Sequence, residues 1–226
     1  MEITSYGDTC LRFKGREGVV VTDAFASVVG PTGRGLTADI VTYSRSEQQP
    51  TLDLDRPVAQ RRGEGIRVPT SLASAFLLDR PGEYEVHQVL VNGVRTYRDD
   101  RTGAEHGMNT CFVFELDGLH AVHLGDMGHL LTEDMLGEVG AVDVACVAIG
   151  GALTAARAAE LVTQLDAQLI VPMPIDAGGA DGAAALDRFL HEMSVQHSEP
   201  VAKLAVSISS LPQETTVVVL EPRGRG

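Results

Sequence analysis

His123, Asp126 and His129 recur at three-residue steps, a spacing that could set two imidazoles and a carboxylate around one divalent ion, zinc or manganese. Against that reading, His123 sits in a strand pattern whose side chains alternate between faces, and His129 lies beyond a glycine turn. The two imidazoles are therefore expected to serve the structure. Gly150 and Gly151, ahead of Thr154, could offer backbone N–H groups to an anion at a helix start, and a strand-to-helix turn explains them as well. Neither a Gly-x-Ser-x-Gly nucleophile motif nor a Walker-type phosphate loop occurs in the sequence. His87, His106, His120, His191 and His197 show no ligand spacing.

Eighteen Lys and Arg against 31 Asp and Glu leave a formal charge of −13, which repels phosphate backbones and anionic lipid heads. A nucleic-acid or membrane-surface role is therefore not expected, while a small-molecule ligand and a homo-oligomer stay open. Cys10, Cys111 and Cys146 have neither CxxC spacing nor the density of a disulfide scaffold, so they read as small core hydrophobes of a reducing compartment. No apolar run approaches the ~20 residues that span a bilayer, and the Met1-Glu-Ile-Thr opening lacks a signal peptide's basic start and apolar middle. The expected location is the cytoplasm.

The elements that must carry these residues follow from patterning. Short apolar runs at 3–6, 11–13, 19–22 and 40–43, separated by Gly and Pro signals, read as a meander of strands. Residues 44–66 turn polar and read as a long surface excursion. Asn92-Gly93 and Asp117-Gly118 each predict a tight hairpin turn, because both dipeptides tolerate the positive φ of primed turns. Beyond residue 130 the rhythm becomes helix and strand in alternation. Thr132 caps a short helix before a strand at 142–149, and Thr154 caps one that shows Ala158, Leu161, Val162 and Leu165 on one face. A strand at 169–172, a helix carrying Leu186, Phe189, Leu190 and Met193, and closing strands at 204–208 and 216–220 complete the order, with 221–226 a frayed tail. One domain over residues 1–226 is expected, since no repeat or linker interrupts the pattern.

The stretch Asn109-Thr-Cys-Phe-Val-Phe-Glu-Leu-Asp-Gly-Leu-His-Ala-Val-His-Leu-Gly-Asp-Met-Gly-His129 resembles the metallo-β-lactamase superfamily, in particular its ascorbate-6-phosphate lactonase-like branch. Tyr6-Gly-Asp-Thr-Cys-Leu11, Val20-Val-Thr-Asp23, Pro81-Gly-Glu-Tyr-Glu85, Val147-Ala-Ile-Gly-Gly151 and Ile170-Val-Pro-Met173 are similar to other segments of that branch, in order, over almost the whole chain. The resemblance implies an α/β fold of four layers, an αββα sandwich, with two divalent metals at the sheet edges activating a bridging water for hydrolysis. It also implies where the ligands should stand. The His-x-His-x-Asp-His signature would follow residue 44, where this chain has Arg45, Ser46, Glu47, Gln48, Gln49 and Pro50. Arg98 stands where a histidine precedes an Asp pair, Pro174 takes the last ligand position, and Asp8 replaces the first segment's histidine. Of the implied ligands, Asp126 alone keeps its identity.

An arginine offers only donors and stays protonated, so Arg45 and Arg98 oppose a cation instead of binding it. The expectation is a non-catalytic relative, without a metal cofactor, in which these guanidinium groups satisfy Asp126 and Asp23. The cleft would be lined by Asp8, Asp23, Arg45, Glu47, Arg98, Asp99, Asp126 and His129. The alternative is a hydrolase of the lactone or phosphoester type with a reduced single-metal site of Asp126, His123 and His129, and Asp126, Glu47 or Asp99 as base.

Overall fold

The computed structural model describes residues 1–45, 67–176, 179–196 and 198–223. The meander is as expected: β1 (Glu2–Gly7), β2 (Cys10–Lys14) and β3 (Val19–Thr22) pair antiparallel, and β4 (Ile40–Thr42) joins β3 in parallel. Two short elements had no clear pattern in the sequence, α1 (Ala26–Val29) and β5 (Phe76–Leu78), each only three or four residues long.

The second sheet opens with β6 (Gly82–Val86), β7 (Val89–Tyr97), β8 (Met108–Leu116) and β9 (Leu119–His123). Asp117-Gly118 makes the β8–β9 turn as expected, with φ of 54° and 73° and Leu116 paired to Leu119. The other predicted hairpin is corrected. Asn92 and Gly93 lie inside the continuous strand β7, and the turn falls at His87 and Gln88, with φ of 50° and 70°. Gly93 is needed for a different reason: a Cβ there would lie 2.8 Å from the Arg80 carbonyl oxygen, so packing and not turning selects it.

Alternation follows, through α2 (Glu133–Val139), β10 (Val144–Ile149), α3 (Ala155–Leu165), β11 (Leu169–Pro174) and α4 (Ala180–Glu192). Thr132 and Thr154 accept the amides of Met135 and Arg157, and α3 buries Ala158, Leu161, Val162 and Leu165, the face read from the sequence. The closing strands β12 (Leu204–Ala205) and β13 (Thr216–Val217) are shorter than predicted, and in the first case residues 208–210 turn into a 3-10 helix.

The first sheet has the order β12-β1-β2-β3-β4-β5 and the second β13-β11-β10-β9-β8-β7-β6. Between them Ile3, Phe13 and Ile40 meet Phe112, Phe114 and Val171, with the Phe13 and Phe114 rings 5.3 Å apart. The far face of the second sheet packs Val122, Val147 and Ile149 against Leu161, Val162 and Phe189 of the helices. Among the described residues, the far face of the first carries only α1 and 3-10 turns, over Val21, Val41 and Tyr43. The result is the expected αββα sandwich, with one outer layer thin among the described residues.

Strands β9, β10 and β11 run parallel, so their C-terminal ends meet at one edge of the second sheet. The end of β4 arrives beside them, since the Thr110 amide donates to the Ser44 carbonyl. That shared edge collects the C-terminal ends of β3, β4, β7, β9, β10 and β11.

Candidate functional site

The edge is organised by a buried side chain that sequence reasoning passed over. Asn109 donates through Nδ2 to Thr96 Oγ1 (2.8 Å) and to the Leu124 carbonyl (2.9 Å), and its Oδ1 accepts the Asp126 amide (3.1 Å). It is fully buried, and it seats the turn after β9 by gripping backbone on both sides of Gly125. Gly125, at φ +64°, admits the close approach of Ser44, whose Cβ would otherwise lie 2.5 Å from an added methyl. The one available signal was a carboxamide at the start of an otherwise apolar strand.

Asp126 projects from this turn, 8% exposed. Arg98 approaches it from the end of β7, with Nη2 at 2.7 Å and Nε at 3.1 Å, both on the same oxygen, Oδ2. The expected fork thus closes on one oxygen only. The other, Oδ1, accepts the Ala152 amide at 3.3 Å, so the Gly150–Gly151 turn spends an N–H on the protein's own carboxylate. Arg98 Nη1 also donates to the His106 carbonyl at 3.2 Å.

Asp99 next to it points away from Asp126. Its two oxygens accept the amides of Arg101, Gly103, Glu105 and His106 at 2.6–3.0 Å, closing the loop between β7 and β8. Burial raises its carboxyl pKa, but the four N–H bonds outweigh that and hold it at about 2. Asp99 is thereby corrected from candidate base to loop cap. Because the folded value lies below the ordinary 3.8, its contribution to stability is complete above that pH and disappears as pH falls towards 2. Asp99→Asn is therefore expected to flatten acid unfolding between about pH 4 and pH 2, followed by circular dichroism.

The other predicted site residues are not brought together. Asp23 is 1% exposed and its oxygens accept the Ser44 amide (2.7 Å) and hydroxyl (2.6 Å), with no guanidinium among the described residues paired to it. Arg45 is corrected as well: its guanidinium lies 4.8 Å above the Phe25 ring, towards the thin helical layer, and pairs with no described carboxylate. Asp8 is half-buried and accepts the Asp176 amide at 2.9 Å. Glu47 lies outside the described residues.

The proposed metal trio fares no better. His129 accepts the Tyr97 amide on Nε2 at 3.0 Å and donates from Nδ1 to the Leu130 carbonyl at 2.7 Å, which uses both ring nitrogens. His123 is fully buried between the sheets, with Nε2 2.8 Å from the Thr9 carbonyl. Burial lowers its pKa, against the opposing pull of Asp23 and the Thr9 bond, so the ring is held neutral. Among the described residues no three His, Cys, Asp or Glu side chains are placed to hold an ion. A zinc or manganese ion needs about three or four such donors, and the described donors at this edge are already committed to N–H groups or carbonyls. The residues described do not fit a dinuclear centre.

The three cysteines are free and buried, and burial pushes all three thiols up, Cys111 to about 12, which leaves them inert as nucleophiles. No helix among the described residues is long and apolar enough to cross a membrane.

Comparison with known proteins agrees with the architecture. The model of the β-lactamase superfamily domain matches residues 2–174. A crystal structure from Thermotoga maritima, of a protein assigned to the Zn-dependent hydrolases of the metallo-β-lactamase superfamily, is 30% identical and superposes with a TM-score of 0.71 over 97% of each chain. An isothiocyanate hydrolase from Delia radicum gut bacteria shares the fold at 13% identity and TM-score 0.59, over 92% of this chain and 99% of that one. A protein from Parabacteroides distasonis assigned as a metal-dependent hydrolase does so at 15% and 0.56, over 85% and 89%. No curated protein matches the chain.

Proposed function

From the premise that this chain belongs to the metallo-β-lactamase superfamily, we propose that it is a non-catalytic member whose edge cleft binds a small polar ligand. The observation that carries the reading is the Arg98–Asp126 pair: an internal cation sits on the one carboxylate that the superfamily would give to a metal. Asp8, Arg98 and Asp126 line that cleft in this proposal, and the charge of −13 argues for a small molecule over nucleic acid. Membership of the ascorbate-6-phosphate lactonase-like branch, cytoplasmic location and self-association are parts of the same proposal. So is a single domain over residues 1–226, which the pairing of β1 with β12 and the Ser5–Pro222 bridge support by tying the described ends together.

A second reading is favoured by the Thermotoga relative's assignment as a Zn-dependent hydrolase: a hydrolase with one ion at Asp126. It requires Arg98 to leave Asp126, which would strand a half-buried guanidinium. One experiment separates the two. Protein purified without chelator is expected to carry less than stoichiometric zinc, manganese or iron, to melt at the same temperature with and without EDTA, and to turn over no lactone, phosphodiester or thioester. Stoichiometric metal, with turnover abolished by Asp126→Ala, would establish the hydrolase instead.

A further inference from the structure

Two buried polar atoms beneath the cleft, Nδ1 of His123 and Oγ1 of Thr42, have no hydrogen-bond partner among the described residues. Both residues are fully buried. They also share a neighbourhood. His123 Nε2 and Thr22 Oγ1 both reach the Thr9 carbonyl, at 2.8 and 3.0 Å, and Thr22 lies directly across the parallel ladder from Thr42. Side chains so paired stand about 5 Å apart on one face of a sheet. The face is the inner one, because Val20 and Ile40, two residues earlier on each strand, pack between the sheets, as does Phe112, the partner of His123 in the other sheet.

The proton positions then follow. A carbonyl can only accept, so the ring proton of His123 sits on Nε2 and Nδ1 presents a bare lone pair. The Thr42 hydroxyl carries a proton with no acceptor. A donor without an acceptor and an acceptor without a donor thus stand on the facing inner sides of the two sheets, one joined to the Thr9 carbonyl directly and the other paired with Thr22, which joins it, and water is the group that answers both.

We propose that a single internal water molecule bridges the two sheets here, accepting the Thr42 hydroxyl proton and donating one of its own to His123 Nδ1. Asp23 supplies the third partner. Each of its oxygens has taken one bond, both from Ser44, and its charge acts on His123. A cation is a poorer occupant, because one carboxylate, one neutral hydroxyl and one imidazole already adjusted to a carbonyl give it little charge. The bridge joins β4 to β9 where apolar packing between the sheets gives way to the polar edge.

Thr42→Val tests it, since valine keeps the shape and deletes only the hydroxyl. An idle buried hydroxyl would be better removed, and Tm would rise. The bridge predicts the reverse, a lower Tm, with the loss shrinking or changing sign in a His123→Phe background where the acceptor is gone. A raised or unchanged Tm for Thr42→Val, or equal losses in both backgrounds, would overturn the bridge. Should His123→Phe fail to fold, a water-to-protein NOE from a long-lived water to the Thr42 methyl is expected in the unsubstituted protein, and its absence would overturn the bridge just as directly.

Discussion

Asp126→Ala is expected to destabilise the protein by about 2–3 kcal/mol, between the limits for surface and buried ion pairs. Arg98 and Asp126 have side-chain exposures of 23% and 11%, so neither is screened as a surface charge is. Alanine removes both oxygens that Arg98 and Ala152 address, leaving the guanidinium with one remaining bond, to the His106 carbonyl. Arg98→Met should cost less, because a thioether keeps much of the packing and the carboxylate can be met by water. The pair combined should cost less than the sum, and urea unfolding of the four proteins measures that coupling. Additive losses would mean that the two side chains do not depend on each other.

Gly128→Ala is expected to cost about 1–3 kcal/mol, as overpacking does. Its Cβ would meet the backbone carbonyl of Arg98 and lie 2.7 Å from the Asp99 amide, and neither is a flexible side-chain end that can swing aside. The Gly128 amide also donates to the Tyr97 carbonyl, so the turn cannot slide away without giving up that bond. The end of β7 must move instead, which pulls Arg98 from Asp126. Gly137→Ala is the control, since nothing lies within 4 Å of its added methyl in the exposed helix α2, and it should be neutral or stabilising.

Much of the architecture was legible because long elements repeat their pattern. The buried face of α3 could be read residue by residue, since four apolar positions at helical spacing leave no other arrangement. The Asn92-Gly93 turn misled because a local dipeptide preference competes with tertiary contact. Gly93 is held in the strand by the Arg80 carbonyl, which no pattern reveals. At the site, substitution by charge was legible and geometry was not. That Arg98 opposes a cation follows from its chemistry, but Arg45 has the same chemistry and stacks on Phe25 instead. The residues that organise the edge, Asn109 and Ser44, act on backbone and on a buried carboxylate, and such roles leave only a faint trace in residue type.

The Asn109 clamp has a consequence for rebuilding the protein. Because it grips the main chain at Leu124 and Asp126, the backbone that carries that aspartate is held by a contact that does not involve position 98. A designer installing Arg98→His and Pro174→His would start with one coordinating group already anchored, so the scaffold is a chassis awaiting new fittings. One hard part of such a retrofit, fixing the main chain that presents a carboxylate at the meeting point of two sheets, is inherited with the backbone.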